Sequence, residues 1–476
     1  MVKKIWFIAL FLCALSTPAQ NLVGTIPLHF YSKTNCFEIV DDTKSQLALC
    51  LQDAERIRVI RITPQFQRRD SLTQERPSKE FKGIMGYTVR ENQYTLYWIS
   101  GEKDKLGCQV FDFNTGKTAF STLPYVLGKE KVVAKINAHG KLYVVSCLKN
   151  ESVLTIRTLE GPKITQNKID LTGKTFLNYE GKRVSFWEMM DDTNALQQVP
   201  YFQFIDDETP PSLVLAAMFR KSYIDGDTLI FTFDNNDSGT QLLAIQLTDF
   251  SYIQKLYPQP YVERPAEATY YPIPATSFYF EKQIIQLKGK SDRLMITHRA
   301  FDGTILKSWE IVQDQEIGFK NTEIIQENGS INSTRVLDKS NQLIRKINNL
   351  YPSISCFRHG ERIVLTIGGV SEVKENYLFG PMFGLIGVAI DLAINSYSND
   401  NFNSYVNRKI VYVSGVFDNE FNALNEPRVH SSFDRFREFV EGKRIDKAVM
   451  FTLGSSLYLG AHFKGMDGFS FYEFKN

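Results

Sequence analysis

Two Gly-Lys-Thr triplets, Gly116-Lys117-Thr118 and Gly173-Lys174-Thr175, have the residue types that end a phosphate-binding loop, where a lysine and a hydroxyl follow backbone amides wrapped around the phosphates. Such a loop needs another glycine five positions before the triplet. Those positions hold Phe111 and Lys168, so both triplets read as hairpin turns. The stretch Asp234-Asn235-Asn236-Asp237-Ser238-Gly239 puts side-chain oxygens at the first, third and fifth positions and glycine at the sixth, as a calcium loop does. Its twelfth position should supply a bidentate glutamate and is Ile245, so we read a polar hairpin loop. The pairs Asp191-Asp192 and Asp206-Asp207 have the charge for a cation, but solvated turns are the simpler account. No G-x-S-x-G, no H-E-x-x-H and no cysteine set beside a histidine is present. The histidines at 29, 139, 298, 359, 430 and 462 are scattered, and His139 and His359 each precede a glycine in an expected turn. The sequence thus offers no catalytic, cofactor-binding or metal-ligating set, and no cofactor is expected.

Two other stretches carry apolar faces at helical spacing. Residues 428–444 read as a short helix capped by Ser431 or Ser432, with Phe433, Phe436, Phe439 and Val440 on the face that packs onto the rest of the protein. In residues 380–398, Gly380 and Pro381 open a helix whose Gly380, Gly384 and Gly387 form a small-residue face for close helix packing. Phe383, Ile386, Ile390 and Ile394 form an oily stripe on another side, a candidate contact for a partner protein or a membrane surface. At 1.5 Å per residue such a helix is roughly 25 Å long, short of the roughly 30 Å of a bilayer core. Packing of both faces against the rest of the chain is the plainer reading.

The elements that must hold these stretches are strands. A polar turn, a run of β-branched and aromatic residues, a short gap and a second run recur along the chain, each pair reading as a hairpin. The first runs begin near Gln46, Gln93, Lys141, Lys182, Asp227, Gln283, Arg362 and Ser456, and the first five intervals are 47, 48, 41, 45 and 56 residues. That is the length of a four-stranded blade, so the expected fold is all-β: a single β-propeller of seven or eight four-stranded blades with a short helical insertion. Residues 371–408 are the insertion, and residues 312–350 hold further strands without an assigned blade. A lone N-terminal strand near residues 22–31 is expected to complete the last blade. The alternative is two packed β domains split near residue 260, in a proline-rich stretch.

The hairpins 110–120, "VFDFNTGKTAF", and 300–309, "AFDGTILKSW", carry Asp, then Gly, then a closing aromatic. They resemble the repeats of quinoprotein-like and WD40-like bacterial propellers. Since that superfamily holds periplasmic scaffold proteins as well as cofactor enzymes, the resemblance implies a fold, with Asp and Gly shaping the turn and the aromatic packing between blades.

The first residues set the compartment: Lys3 and Lys4, an apolar run from Ile5 to Leu15, then Thr17-Pro18-Ala19, read as a signal peptide over residues 1–19 with the propeller over 20–476. Cys13 follows Phe11-Leu12 instead of a small residue, which argues against a lipid anchor. The chain is therefore expected to be periplasmic or extracellular. Cys36, Cys50, Cys108, Cys147 and Cys356 remain, too thinly spread for a disulfide framework. A Cys36–Cys50 bridge between neighbouring strands is one option, and small buried hydrophobes the other. With 55 basic and 53 acidic residues there is no global field to hold a polyanion, so nucleic acid is a poor partner. The expected function is a secreted, non-enzymatic propeller that binds or scaffolds outside the cytoplasmic membrane. The alternatives are a hydrolase, lyase or carbohydrate-binding propeller with its site at the central channel mouth, or a membrane-surface protein acting through residues 380–398.

Overall fold

The structure, a computed structural model, describes residues 21–30, 34–41, 43, 45–125, 127–192, 202–206, 209–262, 273–371, 404 and 408–475. Their strands form seven blades, five sheets of four strands and two of five. All pairings within the blades are antiparallel except that of Gln203–Phe204, which runs parallel to Arg220–Asp225. Blade 1 runs in chain order from the innermost strand outward: Asn35–Val40, Leu47–Gln52, Arg56–Ile62 and Arg68–Glu75. Blades 2, 3, 4 and 5 repeat this plan over residues 81–124, 130–170, 220–258 and 275–312. Blade 1's inner strand packs against Phe81–Arg90 of blade 2 on one side and Ile445–Leu453 of blade 7 on the other, so first and last blades meet and the ring closes.

Burial on both faces explains why these strands read as near-continuous apolar runs. Along Gln93–Ser100, Tyr94, Leu96 and Trp98 enter the core shared with blade 1, while Tyr97 and Ile99 enter the core shared with blade 3. The two-residue period of a strand sends alternate side chains to opposite neighbours. Turn chemistry does the rest: Asp112 Oδ1 accepts from Asn114 N at 2.9 Å, and Gly116 supplies a φ of +69°, so the first Gly-Lys-Thr triplet is a hairpin turn.

Four sequence expectations are corrected or completed here. The run beginning at Lys182 is no blade. Ser185 and Glu188 form a reciprocal capping box that starts a helix at Phe186–Met190, whose buried Phe186, Trp187, Met189 and Met190 mimic a strand's apolar run. The blade number is therefore seven. The unassigned strands of 312–350 are Ile324–Asn328 and Ser330–Leu337, the outer strands of blade 6, which precede its three inner strands Tyr351–His359, Arg362–Val370 and Lys409–Phe417 in the chain. A split near residue 260 is overturned, because blades 4 and 5 share a buried core in which the Tyr223 and Phe278 rings lie 5.7 Å apart.

The expected closing strand is present: Asn21–Ile26 pairs with Phe469–Phe474 as the outermost strand of blade 7. Gly24 permits the close approach to blade 1, since a Cβ there would stand 2.6 Å from Phe66 Cβ. Cys36, Cys50, Cys108, Cys147 and Cys356 are free, all but Cys36 buried. Cys36 lies opposite Leu51 and Cys50 opposite Phe37, so the pleat points the two thiols to opposite faces of blade 1 and a bridge between them is excluded. Of the two closing aromatics, Trp309 packs between blades, 5.7 Å from Phe417. Phe120 instead lies over Phe81 of its own blade, 5.5 Å away.

Candidate functional site

Blade 6 has one oily face and one face that mixes apolar side chains with hydroxyls. Ile354, Cys356, Leu365, Ile367, Val411 and Val413 face the core shared with blade 5. On the other face the register sets Ser355 opposite Thr366 and Thr366 opposite Ser414, a row of hydroxyls across three strands. Thr322 extends the row by accepting from Ser414 N at 3.0 Å, and Thr366 and Ser414 share a 2.9 Å hydrogen bond. Facing this row is the segment leading into the helix Ser432–Val440. Ser431 caps that helix in a reciprocal box with Asp434, and Phe433, Phe436, Phe439 and Val440 pack onto blade 7 as the sequence predicts.

Between the hydroxyl row and this segment lies a cleft of about 60 Å³, lined among others by Arg408, Arg428, Tyr412 and Asp434. At its edge Glu327 is gripped by two arginines. Arg408 donates from Nε at 2.7 Å and Nη2 at 2.8 Å, and Arg437 from Nη1 at 2.6 Å. All three side chains are at most 10% exposed. Burial alone would raise the Glu327 carboxyl, but Arg408 and then Arg437 hold it down at about 2. Arg428 donates from Nη2 to Asp434 Oδ1 at 3.1 Å. Among the described residues three guanidiniums therefore meet two carboxylates, one more positive than negative charge in a largely buried place. The arrangement can hold an anionic or hydrogen-bond-accepting group, and it pins Arg408, the residue where the chain re-enters blade 6.

The site residues proposed from sequence, Gly380, Phe383, Gly384, Ile386, Gly387, Ile390 and Ile394, lie outside the described residues, as do residues 1–20 with the expected signal peptide. The loop at 234–239 is a hairpin loop, but a buried one. Asp234 Oδ2 lies 2.9 Å from Lys221 Nζ and accepts from Ser277 N and Oγ, while Oδ1 accepts from Thr240. Its carboxylate is thus spent on tying blade 4 to blade 5. Asp191 pairs with Lys131, Asp192 accepts from Tyr179 N, Asp206 accepts from Thr209, and Asp207 lies outside the described residues. His139 lies 3.1 Å from Asp227 in a turn, and His298 is buried near Trp309 and Phe421, which lowers it to about 4. Among the described residues no group of three or more His, Cys, Asp or Glu side chains could hold a metal ion.

The end of the ring near blades 4 to 6 is occupied by the segment ahead of blade 4. Ser353 of blade 6 donates to Leu213 O at 2.6 Å, and Leu213, Val214 and Ala217 pack against Val370, Ile410 and Tyr412. Leu215 and Ala216 join the core shared by Tyr223, Phe278 and Ile354, which come from the inner strands of blades 4, 5 and 6. The contacts of Leu213 to Ala217 with the blades are therefore mainly apolar.

No family model matches the chain, and no curated protein matches it. Among solved structures it is similar to Kluyveromyces lactis Hsv2, at 10% identity and a TM-score of 0.31 over 90% of each chain. It is also similar to the WD40 domain of SCAP from fission yeast, at 8% identity and 0.30 over 96% of this chain and 98% of that one. A prolyl endopeptidase structure aligns at 11% identity and 0.33, covering 91% of this chain and 46% of the other. Likenesses this distant carry no functional argument. The resemblance to quinoprotein-like and WD40-like propellers holds as one of fold, on the sheet order described above.

Proposed function

We propose that this chain is an exported, non-enzymatic propeller that acts as a binding or scaffold module outside the cytoplasmic membrane. The observation that supports the reading is that Leu213 to Ala217 pack on the blades through apolar contacts, while the arginines and carboxylates of the neighbouring cleft are paired with one another, Arg408 and Arg437 with Glu327 and Arg428 with Asp434. Export is supported by Lys3, Lys4 and the apolar run to Leu15. Mass spectrometry of the protein from its native host is expected to find an N-terminus near Gln20. An intact Met1 on soluble cytoplasmic protein would overturn the export reading.

The alternative we propose is that the insertion after Val370 docks, through Phe383, Ile386, Ile390 and Ile394, against a partner protein or a membrane surface. What favours this is the base of the insertion: its flanking strands Arg362–Val370 and Lys409–Phe417 are paired, and Arg408 is fixed by Glu327, so the ring offers a rigid footing for whatever those residues present. Among the described residues no helix is long and apolar enough to cross a membrane. The double variant Phe383→Ser, Ile390→Ser is expected to keep the wild-type melting temperature while losing retention on liposomes or in the host membrane fraction. A lower melting temperature with retention intact would show that the stripe is internal packing.

A further inference from the structure

We propose that the cleft between blade 6 and the segment 428–434 is a binding site for a small oxyanion: a phosphate, a sulfate or a carboxylate group. This is independent of the docking proposed for the insertion. The first observation is Ser355. It is 4% exposed and lines the cleft, and its hydroxyl has no hydrogen-bond partner among the described residues. Its oxygen is not among the fully buried polar atoms, so it opens into the cleft, and whatever fills the cleft supplies its partner. The second is Arg428, which lines the cleft. A guanidinium carries five N–H donors, and the one side-chain bond among the described residues is from Nη2 to Asp434.

Charge selects the ligand class. Both oxygens of Glu327 are held by Arg408 and Arg437, and both oxygens of Asp434 are held, by Arg428 and by Ser431. The carboxylates are saturated, while an arginine and a row of hydroxyls keep donors to spare. A neutral sugar would leave the excess positive charge of the described residues unmatched. An oxyanion offers several acceptors to a fork of N–H groups and hydroxyls. Size fits as well: a water needs on the order of 10–15 Å³ of such space, so about 60 Å³ takes a few waters or one tetrahedral anion.

The test is calorimetric titration of the chain from residue 20 onward with inorganic phosphate, with sulfate and with acetate, at ionic strength held constant with sodium chloride. Saturable binding of at least one anion is expected, and the ranking of phosphate and sulfate against acetate separates a tetrahedral group from a carboxylate. Arg428→Gln is expected to weaken binding about tenfold and Ser355→Ala about threefold, each with the fold retained by circular dichroism. Should Arg428→Gln fail to fold, Ser355→Ala decides by itself, since it removes one hydroxyl and no charge. Absence of saturable binding by all three anions to the folded wild type overturns the proposal, as does wild-type affinity in every folded variant.

Discussion

A chain beginning at Thr34 is expected to melt at least about 5 °C below one beginning at Gln20 and to aggregate on heating. The lost segment includes Asn21–Ile26, whose Ile26 is 1% exposed, and Leu28, 6% exposed. Burying those two side chains contributes about 3 to 6 kcal/mol, a large part of the roughly 5 to 15 kcal/mol that separates folded from unfolded chains. Removal also bares the edge of Phe469–Phe474, with its aromatic Phe469, Phe471, Tyr472 and Phe474. An unpaired edge of this composition is a template for other chains. Differential scanning calorimetry with light scattering reads both effects. Equal melting temperatures for the two chains would mean that the ring does not depend on this strand.

Replacing Glu327 is expected to have a comparable effect through charge. Glu327→Ala strands the Arg408 and Arg437 guanidiniums in a site where all three side chains are nearly buried, and breaking a buried pair from one side costs about 3 to 5 kcal/mol. The same residue predicts an acid limb in stability. Its folded pKa of about 2 lies below the ordinary 4.5, so its contribution is fully present above pH 4.5 and is lost as the pH falls towards 2. At 1.36 kcal/mol per unit that amounts to about 3 kcal/mol. Glu327→Gln keeps the shape, cannot titrate, and is expected to flatten this part of the profile. Urea midpoints for both proteins between pH 5 and 2 check it, and parallel profiles would remove Glu327 from the account.

Helix position shows how far sequence patterns reach. The capping residue Ser431 and the face of Phe433, Phe436, Phe439 and Val440 were legible because a cap and a 3.6-residue period act within one or two turns. Arg437 on the same helix was not. Its partner Glu327 lies 110 residues away, and nothing local to either residue marks the pair. The helix Phe186–Met190 was misread because four apolar residues in five satisfy a strand's run as readily as a short helix, and the Ser185–Glu188 box that decides between them was overlooked.

By itself the sequence determined that the chain alternates strands and hairpin turns at blade length and that an N-terminal strand was left over to close the ring. Turn residues and side-chain period depend on a few neighbouring positions, so they survive without a structure. Only the tertiary structure decided the rest. The register of blade 1 separates Cys36 from Cys50, the outer strands of blade 6 precede its inner ones, and the 234–239 loop is buried against blade 5 instead of solvated. The arginines, Glu327 and the hydroxyl row converge for the same reason. Which face of a strand meets which neighbour is set when the ring closes, and closure brings together residues about a hundred positions apart whose charges have no common local pattern.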